Sequence, residues 1–588
     1  MIRMPPSPAP TPKQAPNGDI DAEFKLADGS GVTVRGIGSF HKTLPHNLYG
    51  EVEPDAFKAL NDARKSGNFD KVPPDPKGSA QLVNPRAGLA KDRLTDVPAA
   101  YQMPAAPRVL SDATAAEMTE LYWMALLRDV PFNEFASHEL VGNAVGDING
   151  AFGRAVDTTG SKASDRLWTG IDVPGAPDGK PAPALFTRDN LFRLGLPGEE
   201  VGPMVSQFFV RPAVYGTQTI DARQRPYKSG ASYLVTFDDW LRAQNTGRDA
   251  YGQAYPGANE DGPDHFEDQP RYISTMRDLA RFVNKDALHQ AYFNAALLLL
   301  SGGAKWTPGN PYADMSRRDA GFGVLGGPHL LALVSEVATR ALKVVWFQKW
   351  QTHLRLRPEA YGGLVHVEGI GAPMEDGTLK KRAYGLPAWV FGTEAATRLR
   401  KAHGGFLLPM AFTPGSPAHP AYGAGHATVA GACVTILKAY FNLFDEKGKP
   451  LPLSALGESE APFGSKAPMK AYVTGRWNQA WERMDLGRFQ AEKLTIEGEL
   501  NKLAQNVAMG RTMGGVHWRT DNARSLMLGE AIAARLLSDI SDDVVECPKF
   551  AFRTFARKAD GNPRMVSIAG GRIEVDGVHR PTPGLSEL

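Results

Sequence analysis

Long apolar runs with helical spacing constrain this chain most, because each must bury a face against another element. They cover residues 273–300, 330–344, 427–444, 494–509 and 522–538. The second run is preceded by Gly326-Gly327-Pro328, which places a proline at the first helical position, where its missing N–H costs nothing. Short stretches rich in arginine, lysine, histidine and glycine adjoin these runs. They are residues 349–358 (KWQTHLRLRP), 419–426 (HPAYGAGH) and 511–517 (RTMGGVH), with Asp521 just beyond. The pattern predicts a mainly α protein in which polar helix ends converge on one pocket.

The residue types indicate what that pocket holds. Lys349, Arg357 and Arg511 are fixed cations, and His426 and His517 are imidazoles. Such a donor-rich set suits a tetrahedral oxyanion: arginine offers a planar fork and lysine a point charge. Gly425 allows a backbone N–H to approach the anion with no side chain in the way. His426 opens the run at 427–444, so the free N–H groups and positive dipole of a helix N-terminus sit beside it. Pro358 is expected to end a helix near Arg357, leaving Lys349 in the last turns. Asp521 has two open readings, one orienting the His517 ring and one supplying negative charge to the start of the next helix. His289, His329, His353 and His366 read as structural.

In order and spacing, Lys-x7-Arg-Pro, then x-Gly-His, then Arg-x5-His-x3-Asp resembles the vanadium-dependent haloperoxidases. They share the pattern with acid phosphatases of the phosphatidic acid phosphatase type 2 superfamily. The motif positions span about a third of the chain. The text around them, HPAYGAGHATVAGACVTILKAYF and GGVHWRTDNARSLMLGEAIA, is similar to haloperoxidases rather than to small lipid phosphatases. The resemblance implies paired four-helix bundles with long connecting loops. It implies a vanadate cofactor bonded by His517, its oxygens met by Lys349, Arg357, Arg511 and the Gly425 N–H. His426 is then the acid–base group. His419, seven residues before His426, matches a second active-site histidine of the family's bromoperoxidases. Hydrogen peroxide, halide ions and small organic substrates are the implied partners, and a homo-oligomer the implied assembly. One departure stands out: Ala424 replaces the usual serine before Gly425-His426. A hydrogen bond to a charged group contributes roughly 1.5–3 kcal/mol, so bromide or iodide rather than chloride is expected. The same residues admit an acid phosphatase with His517 as nucleophile, or a non-catalytic phosphate-binding helical protein.

Composition bounds the remainder. With 66 basic and 64 acidic residues the net charge is +2, so no bulk charge points to nucleic acid or an anionic membrane. Two cysteines in 588 residues make no disulfide framework, and Cys433 falls inside an apolar run as a core residue. No stretch approaches the ~18 apolar residues of a membrane span. The proline-rich start has no apolar leader, so a soluble, cytoplasmic protein with a disordered tail over 1–20 is expected. Residues 21–270 are expected to wrap the bundle, 271–545 to form it with the vanadate site, and 546–588 to be short β-type hairpins turning at Gly570-Gly571. Within the first region, 21–110 reads as irregular. Helices are expected from Ser111, over 133–154 and 188–194, and briefly near Trp240, with a long loop at 247–270. Residues 362–422 read as a connection.

Overall fold

The computed structural model describes residues 18–73, 78–90, 100–159, 186–257, 259, 265–314, 316–458, 466–478, 480–558 and 561–580. Most of the expected N-terminal tail lies outside these residues. The fold is mainly α, as the runs predict, with small antiparallel sheets.

Helix α1 is Pro54–Ser66, within the stretch read as irregular. Its proline at the first position and the left-handed Gly67 at its end (φ 75°) are ordinary helix signals that the surrounding Pro and Gly density obscures. Helix α2, Asp112–Leu126, is capped by Ser111, whose side chain accepts the Thr114 N–H. Helix α3 is Glu139–Thr159, starting later than expected after a single 3-10 turn at Phe132–Glu134. The helix expected at 188–194 does not form. Phe192 has φ 64°, which no α-helix accommodates, and Arg193 turns inward to pair with Glu199. Helix α4 is Phe237–Thr246.

The run expected over 273–300 is two helices, α5 (Met276–Lys285) and α6 (Gln290–Ser301). A capping box between Thr275 and Asp278 starts α5. Asp286 is extended (φ −63°, ψ 143°) and ends it. Helix α7, Gly327–Phe347, continues into one π-helical turn, Gln348–His353, which stops at Leu354 with φ 46°. Such widened turns concentrate at functional sites, and this one carries Lys349.

Pro358 does not simply end a helix. It occupies the first position of α8 (Pro358–Gly369), with Arg357 as the residue before it. The expected connection over 362–422 also holds α9, Glu394–His403, capped by Thr393 and closed by left-handed Gly404.

Helix α10, Gly425–Tyr440, is the axis of the molecule. Every residue in it except His426 is buried, the mark of a helix apolar all round. It packs on α7, on α11 (Ile496–Met513) and on α12 (Arg519–Asp543). Gly431 and Gly529 make the α10–α12 approach possible: a Cβ at Gly431 would overlap the Leu526 carbonyl, and one at Gly529 the Thr428 carbonyl. A hairpin of β1 (Tyr472–Trp477) and β2 (Ala480–Asp485) interrupts the helical region. After α12 the strands β3 (Lys549–Arg557), β4 (Pro563–Ala569), β5 (Arg572–Val575) and β6 (Val578–His579) form one antiparallel sheet. Gly570 and Gly571 turn between β4 and β5 at φ 52° and 71°, as the sequence predicts. Cys433 is buried in α10. Among the described residues no helix is long and apolar enough to cross a membrane.

Candidate functional site

Three chain ends converge where α10 begins. The π turn after α7 supplies Lys349, which is fully buried and donates to the Pro420 and Ala421 carbonyls at 2.7 and 3.1 Å. Beyond it the chain is extended, so Arg355 and Arg357 fall on one side and buried Leu356 on the other. Arg357 is clamped throughout. Its Nε donates to the His419 carbonyl at 2.8 Å, one terminal nitrogen to the Val516 carbonyl at 2.6 Å, and the other to His419 Nδ1 at 2.8 Å.

His517 lies just before α12. Asp521, in the first turn of that helix, accepts from His517 Nδ1 at 2.9 Å and from the Trp518 N–H at 3.0 Å. It therefore serves both readings of the sequence, orienting the ring and capping the helix. Burial, and then the charges of Arg357, Lys349 and Arg511, push His517 well below the usual histidine range, so its ring is neutral. The Asp521 bond holds the proton on Nδ1 and leaves the lone pair on Nε2. That nitrogen faces Arg357 at 3.1 Å, an acceptor to a donor.

Arg511, in the last turn of α11, has one terminal nitrogen satisfied by the Tyr255 hydroxyl and the Val283 carbonyl. Its Nε is buried with no hydrogen-bond partner. Burial pushes Lys349 well below its ordinary range, and Arg357 and Arg511 push it further. Arg357 is held down to about 9 by burial and by Arg511, and so stays protonated at neutral pH. Keeping Lys349 charged beside Arg357 and Arg511 in one dry pocket is costly unless an anion joins them. The orphaned Arg511 donor and the His517 lone pair fit an oxyanion centred on a metal able to accept one nitrogen. Among the described residues no group of three or more His, Cys, Asp and Glu gathers to hold a bare cation.

Gly425 is the first residue of α10, where N–H groups lack helical acceptors. A Cβ there would press on the Trp346 ring at 3.0 Å, so glycine keeps this wall tight. Trp346 also stacks near His419, ring centroids 4.9 Å apart. His419 is 8% exposed and is driven well below the usual histidine range by burial, then by Lys349 and Arg357. Ala424 is buried, and its N–H donates to Ser525 Oγ at 2.8 Å.

The structure thus gathers Lys349, Arg357, His419, Gly425, His426, Arg511 and His517 around one pocket. It adds groups the sequence reading missed. Asp286 Oδ1 accepts from His426 Nε2 at 3.0 Å. Burial lowers the His426 pKa, against the pull of Asp286. The only sequence signal for Asp286 was the polar Asn284-Lys285-Asp286 interruption of an apolar run. Tyr255 falls in the stretch expected as a long loop over 247–270, part of which lies outside the described residues, and had no signal beyond that length. Arg355 was quoted within its motif but given no task; it joins Asp521 Oδ1 and Glu117 Oε2, both at 2.9 Å.

Comparisons with known proteins identify relatives of the whole chain. A family profile described as the VCPO second helical-bundle domain matches residues 391–544. The vanadium-dependent bromoperoxidase of Ascophyllum nodosum is 33% identical over 532 residues, 88% of this chain and 85% of the relative. That of Corallina pilulifera is 34% identical over 563 residues, covering 86% and 87%. Among solved structures, the homohexameric second vanadate-dependent bromoperoxidase of Ascophyllum nodosum superposes with a TM-score of 0.72 at 28% identity, over 97% of this chain and 89% of that one.

Proposed function

The chain belongs to the vanadium-dependent haloperoxidases, and from that premise we propose that Lys349, Arg357, Gly425, Arg511 and His517 hold vanadate while His426 moves protons beside it. The protein is an oxidoreductase that uses vanadate and hydrogen peroxide to oxidise halide. The observation that carries the site assignment is the buried trio Lys349, Arg357 and Arg511 facing the His517 lone pair.

Bound vanadate supplies a Lewis-acid centre of constant oxidation state that makes peroxide electrophilic toward halide. His517 Nε2 would be the nitrogen that bonds it, because Asp521 fixes the tautomer and the ring faces the three cations. Lys349, Arg357 and Arg511 would hold the anion and neutralise its charge. Halide, peroxide and one proton give hypohalous acid and water, so a group must carry protons. His426 suits this: Asp286 takes its Nε2–H, and Nδ1 keeps the lone pair that accepts a proton from peroxide and returns it to the departing oxygen. His419 completes the wall with Trp346 and stays neutral while binding Arg357.

We propose bromide and iodide as the halides, with small organic acceptors, and a homo-oligomeric assembly like the hexameric relative. Residues 21–270 then act as a wrapping region that reaches the site: Glu117 and Tyr255 both belong to it, and so does Lys42, which forms a buried ion pair with Glu359 two residues from Arg357. The test is reconstitution of vanadate-free protein with orthovanadate, followed by halogenation with each halide and by hydrolysis of a chromogenic phosphate ester. Phosphatase activity without peroxide-dependent bromination sinks the assignment.

Two variants probe the donors. Ala424→Ser adds a hydroxyl at the N-terminus of α10, where Ser525 already occupies the backbone amide. Vanadate binding is expected to tighten by about tenfold, the equivalent of ~1.5 kcal/mol, and chloride oxidation to rise from a poor level. Weaker vanadate binding by the serine variant, or efficient chlorination by the unmodified protein, contradicts this. Tyr255→Phe removes one acceptor from Arg511 and leaves the Val283 carbonyl. Vanadate affinity is expected to fall about tenfold with little change in vanadate-free thermal stability; an unchanged affinity shows that Tyr255 does not set the guanidinium.

A further inference from the structure

A second cavity, of about 190 Å³, lies where the end of α5 meets the start of α6. Two buried side-chain atoms on its lining residues have no protein partner, Arg281 Nε and Asp286 Oδ2. One is a donor and the other an acceptor, and buried polar atoms are nearly always satisfied. The Asp286 side chain is 3% exposed, and its other oxygen already binds His426. Arg281 is fixed by stacking over the Tyr227 and Phe266 rings, 5.0 and 5.3 Å from their centroids. The rest of the wall sets aromatic Phe208, Phe209 and Phe282 and aliphatic Ile220 and Ile273 beside polar Gln224, Lys285, Gln290 and Asn294. Among the other charges at the cavity, Arg211 pairs with Glu458 and Arg223 with Asp221, while Lys285 is exposed to solvent.

An occupant must offer a hydrogen to Asp286 and a lone pair to Arg281. A hydroxyl meets both requirements, and the aromatic wall selects an aromatic body for it. We propose that this cavity binds a small neutral aromatic alcohol, the organic halogen acceptor, held one carboxylate away from His426. Binding follows from the cavity alone; the acceptor role rests on the haloperoxidase reading. The Asp286 carboxylate takes the phenolic O–H bond and enriches the ring in electrons. A ring carbon then gives its π pair to the bromine of hypobromous acid and the Br–O bond breaks. The oxygen leaves as water, with the proton lost from that carbon.

The test uses the full chain and 19F NMR titration with 4-fluorophenol, without vanadate, halide or peroxide. Saturable binding is expected, at least about tenfold tighter than for 4-fluoroanisole, which lacks the hydrogen. Ala222→Trp, which fills the rim, and Arg281→Met should both abolish it, with near-ultraviolet circular dichroism confirming an intact fold. No saturable binding, equal binding of the anisole, or binding undisturbed by Ala222→Trp overturns the site and leaves water as its occupant. In reconstituted protein, Ala222→Trp should leave triiodide formation from iodide unchanged and slow bromination of 4-fluorophenol about tenfold. Unchanged bromination overturns the acceptor role. Absence of triiodide formation in the unmodified protein counts against the haloperoxidase reading instead, and leaves the binding result standing.

Discussion

His517→Ala is expected to lower vanadate affinity by more than about a hundredfold and to abolish halide oxidation. Loss of a group that merely orients a metal ligand typically costs 10–100-fold, and here the ligand itself goes. The substitution removes the one imidazole nitrogen whose lone pair is held ready by a bond from the other nitrogen to Asp521. Arg357 then keeps its bonds to the Val516 carbonyl and His419, so the pocket retains its charge but not its nitrogen donor. Equilibrium dialysis of vanadate against the purified variant reads affinity without relying on turnover. Asp521→Asn, which preserves shape but weakens the hold on the Nδ1 proton, should fall between the two. Vanadate retained at near-normal affinity by His517→Ala would falsify the ligand assignment.

Arg355→Leu is expected to be the most destabilising single change in the vicinity, by roughly 3–5 kcal/mol. Arg355 is 1% exposed and stands between two carboxylates that are equally buried, Glu117 and Asp521. Burial alone would lower its pKa; Glu117 and Asp521 outweigh that and hold it raised. Removing the guanidinium leaves both acids in a dry interior with no cation between them, although Asp521 keeps the His517 and Trp518 donors and Glu117 keeps the Thr520 N–H and hydroxyl. Chemical denaturation measures the loss, and vanadate dialysis measures how far it spreads to His517 through Asp521. Arg355→Lys keeps the charge without the fork and should recover part of the stability. If Arg355→Leu unfolds at the denaturant concentration of the unmodified protein, the cluster is not what joins α2 to the site.

Several elements were legible before folding was considered. The start of α2 at Ser111 and the Gly570-Gly571 turn could be read directly, while the choice of cap between Ser111 and Thr114 was settled for Ser111 only by the fold. Errors arose where one residue type serves opposite ends of a helix. Proline at 358 was read as a terminator because it cannot continue a helix, yet the same fixed φ makes it the first residue of α8. The run at 273–300 was read as continuous because its apolar spacing persists across the break. Periodicity registers which side chains are apolar and is blind to a two-helix corner at Asp286.

What the sequence determined by itself was the chemistry available to the proposed site. The identities of Lys349, Arg357, Gly425, His426, Arg511 and His517, and their placement at the ends of helical runs, follow from local rules of composition, capping and glycine freedom. What only tertiary structure decided was which partners tune them. Asp286 lies 140 residues from His426, Glu117 lies 238 from Arg355, and Tyr255 lies 256 from Arg511. Contacts at such separations leave no periodic trace in one chain, because they depend on how whole helices pack. They arise here because α10, buried on all sides, must sit at the centre, and the helices and loops that bury it carry their polar ends to the same place.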